Sequence, residues 1–128
     1  MGKITKTKAK SRRKFKTQKG RGLDLYTIIM WDEDAPAIYL HWLSVNIPGK
    51  PVINERRIHG GTTLMRYTPP APPPGPPHHY HISIYKQSSY INHKEQIGRV
   101  GFDVDSFVKQ YDLQIISDTV KLLGRPSV

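Results

Sequence analysis

A mainly β fold is what this sequence predicts, and three observations carry the prediction. Three runs, Leu23–Trp31, Tyr39–Ile47 and His79–Gln87, are rich in β-branched and aromatic residues. Turn chemistry separates them: Asp32–Pro36, Pro48-Gly49 and a proline stretch ahead of His79. Only one segment, near the C-terminal end, has helical spacing.

The elements follow in order. Leu23–Trp31 is almost continuously apolar in its second half, which predicts a strand buried on both faces. It stops where Asp32, Glu33, Asp34 and Pro36 raise the charge density and remove a backbone donor. A second strand, Tyr39–Ile47, ends at Pro48-Gly49. Residues 50–63 are polar and contain Gly60-Gly61, so they read as a loop with one short strand. Tyr67–Pro77 holds seven prolines in eleven residues. Free in solution such a run favours polyproline II and serves as a ligand for recognition domains; between two strands it reads as a rigid loop on the body. His79–Gln87 alternates, with Tyr80, Ile82 and Ile84 on one face and His79, His81, Ser83 and Tyr85 on the other. A short helix, Asp103–Tyr111, follows with Asp103 or Asp105 as N-cap and Phe107 and Tyr111 on one face. Leu113–Ile116 closes the chain as a last strand.

Length and charge narrow the possibilities. The 128 residues suffice for one domain. The net charge of +10 sits entirely in residues 1–22, which hold ten of the twenty Lys and Arg residues and no acid. The remainder is formally neutral. Like-charge repulsion and the lack of hydrophobic periodicity predict a disordered arm over 1–22 and a folded domain over 23–128. The arm is dense enough, at Lys8, Lys10, Arg12, Arg13, Lys14 and Lys16, to contact nucleic acid or an anionic membrane surface, or to direct the chain to the nucleus. Absent cysteine excludes disulfides, thiolate metal sites and a cysteine nucleophile. No apolar run spans a bilayer and no apolar stretch follows the basic start, so an intracellular, cytoplasmic or nuclear protein is expected.

Several residues invite chemical readings. Taken alone, Asp32 and Asp34 read as turn caps and His41 as a satisfied core histidine. His79 and His81 share a strand face, as zinc ligands would, with His78 turned away. Ser44 or Ser83 with His41 and Asp32 imitates a hydrolytic triad, but no Gly-x-Ser-x-Gly turn presents either serine. Neither a metal, a cofactor nor an enzymatic activity is expected.

Three segments in order resemble the phosphatidylethanolamine-binding protein family. Trp31-Asp32-Glu33-Asp34-Ala35-Pro36 is similar to its acidic loop motif, and Leu40–Gly49 to its histidine-bearing strand. Tyr67–Gln87, with Pro70, Pro72, Pro73, Gly75, His78, Tyr80 and Tyr85, is similar to its proline-glycine loop and His-x-Tyr strand. Phe102, Phe107, Tyr111 and Leu113 match the closing helix and strand. The resemblance implies an antiparallel β-sandwich with short peripheral helices, here without the usual N-terminal strands, and it extends to compact homologues of large DNA viruses. It also implies a pocket for a phosphate-bearing ligand, such as a phospholipid head group, or for an acidic group of a protein partner. Asp32 and His41 would line its floor, Ala35, Pro36 and Tyr39 a wall, Pro72, Pro73 and Gly75 the mouth, and His78 and Tyr80 would close it. Tyr80 would add a hydroxyl donor. Glu33 stands where the family has proline and is expected to crowd Asp32 and Asp34 with a third negative charge. The implied role is regulatory; the alternative is a basic-tailed nucleic-acid or nucleoprotein accessory on a reused scaffold. Exposed sheet edges predict a homodimer.

Overall fold

The computed structural model describes residues 24–49 and 60–125. The expected arm at 1–22 lies outside them. Among the described residues there are five strands, β1 (Leu25–Asp32), β2 (Tyr39–Pro48), β3 (Thr62–Met65), β4 (His78–Lys86) and β5 (Gln114–Leu123), and one helix, α1 (Val104–Gln110), between β4 and β5 in the chain. The strands form one sheet in the order β3-β2-β1-β4-β5, every neighbour antiparallel. The mainly β architecture with a short peripheral helix is as expected. All described strands belong to this single sheet, so a second layer of the sandwich is not among the described residues.

The position of β1 explains its composition. As the central strand it is covered on both sides, and Thr27, Ile28, Ile29 and Met30 are all buried. One face packs Ile29, Leu43, Val45 and Tyr85 against Ile91, Leu113 and the helix residues Val104 and Phe107. Each fully buried aliphatic side chain there stabilises by roughly 1.5–3 kcal/mol. The other face carries Ile28, Ile47 and Ile84, flanked by Tyr26, Trp42 and Ile82. The alternation read in β4 holds: Tyr80, Ile82 and Ile84 pair across to Asp32, Met30 and Ile28, while His81, Ser83 and Tyr85 face the opposite way beside Trp31, Ile29 and Thr27.

Helix α1 has seven residues, too few to persist alone, and depends on burying Val104 and Phe107. Asp103 is its N-cap: the carboxylate accepts from Ser106 N at 3.0 Å and Ser106 Oγ at 2.8 Å. Those hydrogen bonds, the Ser106 backbone bond first, hold the Asp103 carboxyl below its ordinary value. Tyr111, read as the last helical residue, is the C-cap instead.

Two departures from the expected element limits have clear causes. Strand β1 runs to Asp32, because that residue still pairs with both Tyr39 and Tyr80. Strand β5 is ten residues long and not the four of Leu113–Ile116. It is an edge strand with Ile115, Val120 and Leu122 exposed, so no buried face imposes an alternation on its sequence. Strand β2 holds one surplus residue at each of two register shifts against β1, near Asn46 and at His41. Asn46 takes φ 59° there. Its side chain joins a buried network with Gln87, Thr27 and Ile91. Among the described residues no helix is long and apolar enough to cross a membrane.

Candidate functional site

Asp32 ends β1, with Tyr39 of β2 on one side and Tyr80 of β4 on the other. Two residues before Tyr80, on the same face, stands His78. Asp32 is 5% exposed, and its Oδ2 accepts a hydrogen bond from His78 Nδ1 at 2.7 Å. Its Oδ1 accepts from Asp34 N at 2.9 Å, closing the turn locally. Tyr80 is buried, and its phenol is pushed up by that burial, then by the charge of Asp32 and a hydrogen bond to it. The Tyr80 hydroxyl therefore keeps its proton and directs it at Asp32.

His41 reaches the cluster because the ladder carries it as a surplus residue. Met30 pairs with Trp42 and Trp31 with Leu40, leaving His41 unmatched in the bulge. That turns its ring toward Tyr39 and Tyr80, with centroids 4.8 and 5.5 Å away, both edge-on. His41 Nδ1 lies 2.8 Å from the carbonyl oxygen of Thr68. A carbonyl only accepts, so Nδ1 carries the proton. The same logic assigns the proton on Nδ1 of His78 facing Asp32. In both rings Nε2 makes no hydrogen bond among the described residues, so two imidazole edges stand without a partner there beside a buried carboxylate.

The acidic loop distributes its charges. Three consecutive acids engage three histidines: Asp32 takes His78, Glu33 takes His81 Nε2 at 2.6 Å, and Asp34 takes His79 Nδ1 at 2.7 Å. Glu33 thus belongs to the opposite face of the sheet. Of the expected crowding of Asp32 and Asp34 by Glu33, the structure turns Glu33 from Asp32 toward His81 but keeps its carboxylate within 4.8 Å of an Asp34 oxygen. Asp34 also accepts from His79 N at 2.6 Å, and this backbone bond, followed by the side-chain one, lowers its pKa. His81 stacks on Trp31 at 4.0 Å and lies between Glu33 and Asp118, whose Oδ2 is 2.9 Å from Nδ1. Burial pulls its pKa down, but the hydrogen bonds from Glu33 and Asp118 outweigh this and the net shift is upward. Glu33, Asp34 and His79 bring ligand atoms within 4.8 Å of one another, the arrangement nearest to a metal site among the described residues. The Asp34–His79 bond accounts for one of these distances, while Glu33 is bonded to His81.

The remaining expected residues lie around the cluster. Tyr39 touches His41 directly. Ala35 and Pro36 occupy the bend after β1, with Pro36 exposed. Pro72 is half-buried, while Pro73 and Gly75 are exposed on the proline loop. Asp32, Tyr39, His41, His78 and Tyr80 converge; Ala35, Pro36, Pro72, Pro73 and Gly75 make no hydrogen bond to them among the described residues. Lys8, Lys10, Arg12, Arg13, Lys14 and Lys16 lie outside the described residues.

Two supporting residues were not foreseen. Thr68 ties the proline loop to β2, donating its N–H to His41 O at 2.9 Å and accepting from the His41 ring. Arg99 donates to the carbonyls of Leu40 at 3.0 Å, His41 at 3.2 Å and Arg66 at 2.9 Å. It locks the bulge and the loop together. Neither has a sequence signal, since both act on main-chain carbonyls that only the folded register brings near. A separate open cleft of about 520 Å³ lies beside α1, lined by His93, Ile97, Phe102 and Phe107 among others.

Comparison with known proteins bears on the family and the fold. A family model described as phosphatidylethanolamine-binding protein matches residues 8–120. Protein MOTHER of FT and TFL1 homolog 2 of Oryza sativa subsp. japonica is 38% identical over 77 residues, covering 55% of this chain and 41% of that protein. The chain therefore spans less than half the length of this relative. A crystal structure of carboxypeptidase Y inhibitor complexed with its cognate proteinase superimposes with a TM-score of 0.61 at 26% identity, over 76% of this chain and 58% of that one.

Proposed function

Because this chain belongs to the phosphatidylethanolamine-binding protein family, whose membership points to a binding or regulatory role, we propose that the Asp32, His41, His78 and Tyr80 cluster is a non-catalytic binding site for a phosphate-bearing group. The group is a phospholipid head group or small phosphate, or an acidic side chain of a protein partner. The observation that carries the reading is the pair of imidazoles around buried Asp32, each held through Nδ1 with Nε2 left over. Protonated at Nε2, such rings donate to phosphate oxygens, and Asp32 balances the charge of the loaded site. Tyr39 supplies an aromatic wall. The fixed proline loop limits the ordering needed on binding.

No element of the cluster presents an activated nucleophile. Ser83 Oγ donates to Asp118 Oδ1 at 2.8 Å, and Ser44 Oγ to Thr62 O at 3.3 Å, so neither hydroxyl is hydrogen-bonded to a histidine base among the described residues. The structural neighbour is named an inhibitor and is seen with a proteinase, which supports a regulatory output through protein contact.

Titration calorimetry with phosphoethanolamine and with inorganic phosphate tests the reading. Binding heat that disappears in His41→Ala is expected. Heat from neither compound, or heat equal in parent and His41→Ala, overturns it.

A further inference from the structure

We propose that residues 66–73 are a preformed polyproline II ligand for a proline-reading protein domain of the SH3 type, one whose aromatic groove is flanked by acidic residues. The segment shares Pro72 and Pro73 with the mouth expected of the anion site above, so the ligand function is tested at Arg66 and Pro69, which lie outside that site.

Covalent geometry sets the conformation. Each proline ring fixes its own φ, and any residue that precedes proline is driven out of the helical region. Thr68, Pro69, Ala71, Pro72 and Pro73 each precede a proline, so the run from 68 to 73 is confined to extended, polyproline-like backbone. No helix or strand is assigned there, and the peptide bonds of the described residues are all trans. Gly75, at φ 119°, ends the run with a bend.

The spacing then places side chains. Polyproline II repeats every three residues. Pro69 and Pro72 are three apart and fall on one ridge, and Arg66 stands three residues ahead of it, a cation followed by two prolines. Proline-reading grooves select such a pattern, and a flanking carboxylate pairs with the cation. On this ridge Arg66 and Pro69 are exposed and Pro72 is half-buried. The Arg66 guanidinium makes no ion pair among the described residues. Backbone N–H donors are scarce along Pro69–Pro74, so no strand edge competes for the segment.

The loop is also held ready. Its N-terminal end is fixed by Arg99 on Arg66 O and by the double contact of Thr68 with His41, and its C-terminal end runs into β4. A peptide in solution must be ordered on binding; this segment is ordered beforehand, which lowers the free-energy cost of association.

The test uses the full chain against immobilised SH3, WW and EVH1 domains, read by biolayer interferometry. Arg66→Glu and Pro69→Ala are the variants, because neither residue belongs to the anion site. SH3 domains with acidic grooves are expected to bind, and each variant to weaken that binding by about tenfold or more. Thermal melts and the phosphoethanolamine heat are expected to stay at parent values in both variants, which separates this surface from the anion site. Binding to none of the domains, or binding that both variants retain in full, overturns the proposal. Preference for WW or EVH1 domains over SH3 domains overturns it equally.

Discussion

Consider the buried pair of Asp32 and His78, whose side chains are 7% and 13% exposed. Truncating His78 to alanine leaves the carboxylate with the Asp34 N–H and the Tyr80 hydroxyl as its partners. Removing one member of a buried pair costs roughly 3–5 kcal/mol when nothing else compensates. Two surviving hydrogen bonds, and water reaching the vacated edge, reduce this to about 2 kcal/mol. Asp32→Ala is the harsher change. It removes the acceptor for His78, Asp34 N and Tyr80 together, and Tyr80 has only 2% exposure through which to recruit water. About 3 kcal/mol follows from stranding these donors. The double variant removes the shared contact only once, so its loss should fall short of the sum by about 1.5 kcal/mol. Urea unfolding at constant m measures all three. Single losses that add to within about 0.5 kcal/mol would refute the coupling. The two residues would then be neighbours and not a unit.

Replacing Gln87 with leucine strands the Thr27 hydroxyl and the Asn46 N–H, each now 2.7 Å from Gln87 Oε1. A loss of about 2–4 kcal/mol is expected, read as a lower melting temperature. His81, raised above its ordinary value when folded, contributes stability that is complete below 6.5 and disappears as pH rises through its folded pKa. His81→Gln should flatten the stability profile across that window, and a profile unchanged by the substitution would show the clamp to be inert. Deleting residues 1–21 removes all the excess positive charge. Retention on nucleic acid at moderate salt should be lost with it, together with most of the salt dependence; retention equal to the full chain's would place the contact on the body.

What the sequence makes legible follows from which constraints are local. The alternation from Tyr80 to Tyr85 is visible because one residue in two must meet a core, and β4 lies between two other strands. The convergence of Asp32, His41, His78 and Tyr80 is legible only through the order of the motifs, since the residues come from three strands. Strand β5 is poorly legible: Ser117, Asp118, Thr119 and Lys121 meet water on an edge where polarity carries no penalty. Arg99 looks like any surface cation until the fold places it against three carbonyls. Asn46 and Gln87 read as strand-end polar residues, although together they satisfy a buried backbone corner. The separate destinations of Asp32, Glu33 and Asp34 depend on the pleat, which a charge count does not contain.

The bulge at His41 separates foldability from recognition at the scale of one codon. Met30 opposite Trp42 and Trp31 opposite Leu40 already form a continuous ladder once the residue between them is removed. Deleting His41 would therefore regularise the β1–β2 pairing while taking away one of the two imidazoles and the tether to Thr68. On the proposed function, the step from binder to bare scaffold is a single in-frame deletion that the β1–β2 ladder does not oppose. Reacquiring the site would demand an insertion at that one point in the strand, so loss and gain are unequal in their accessibility to mutation.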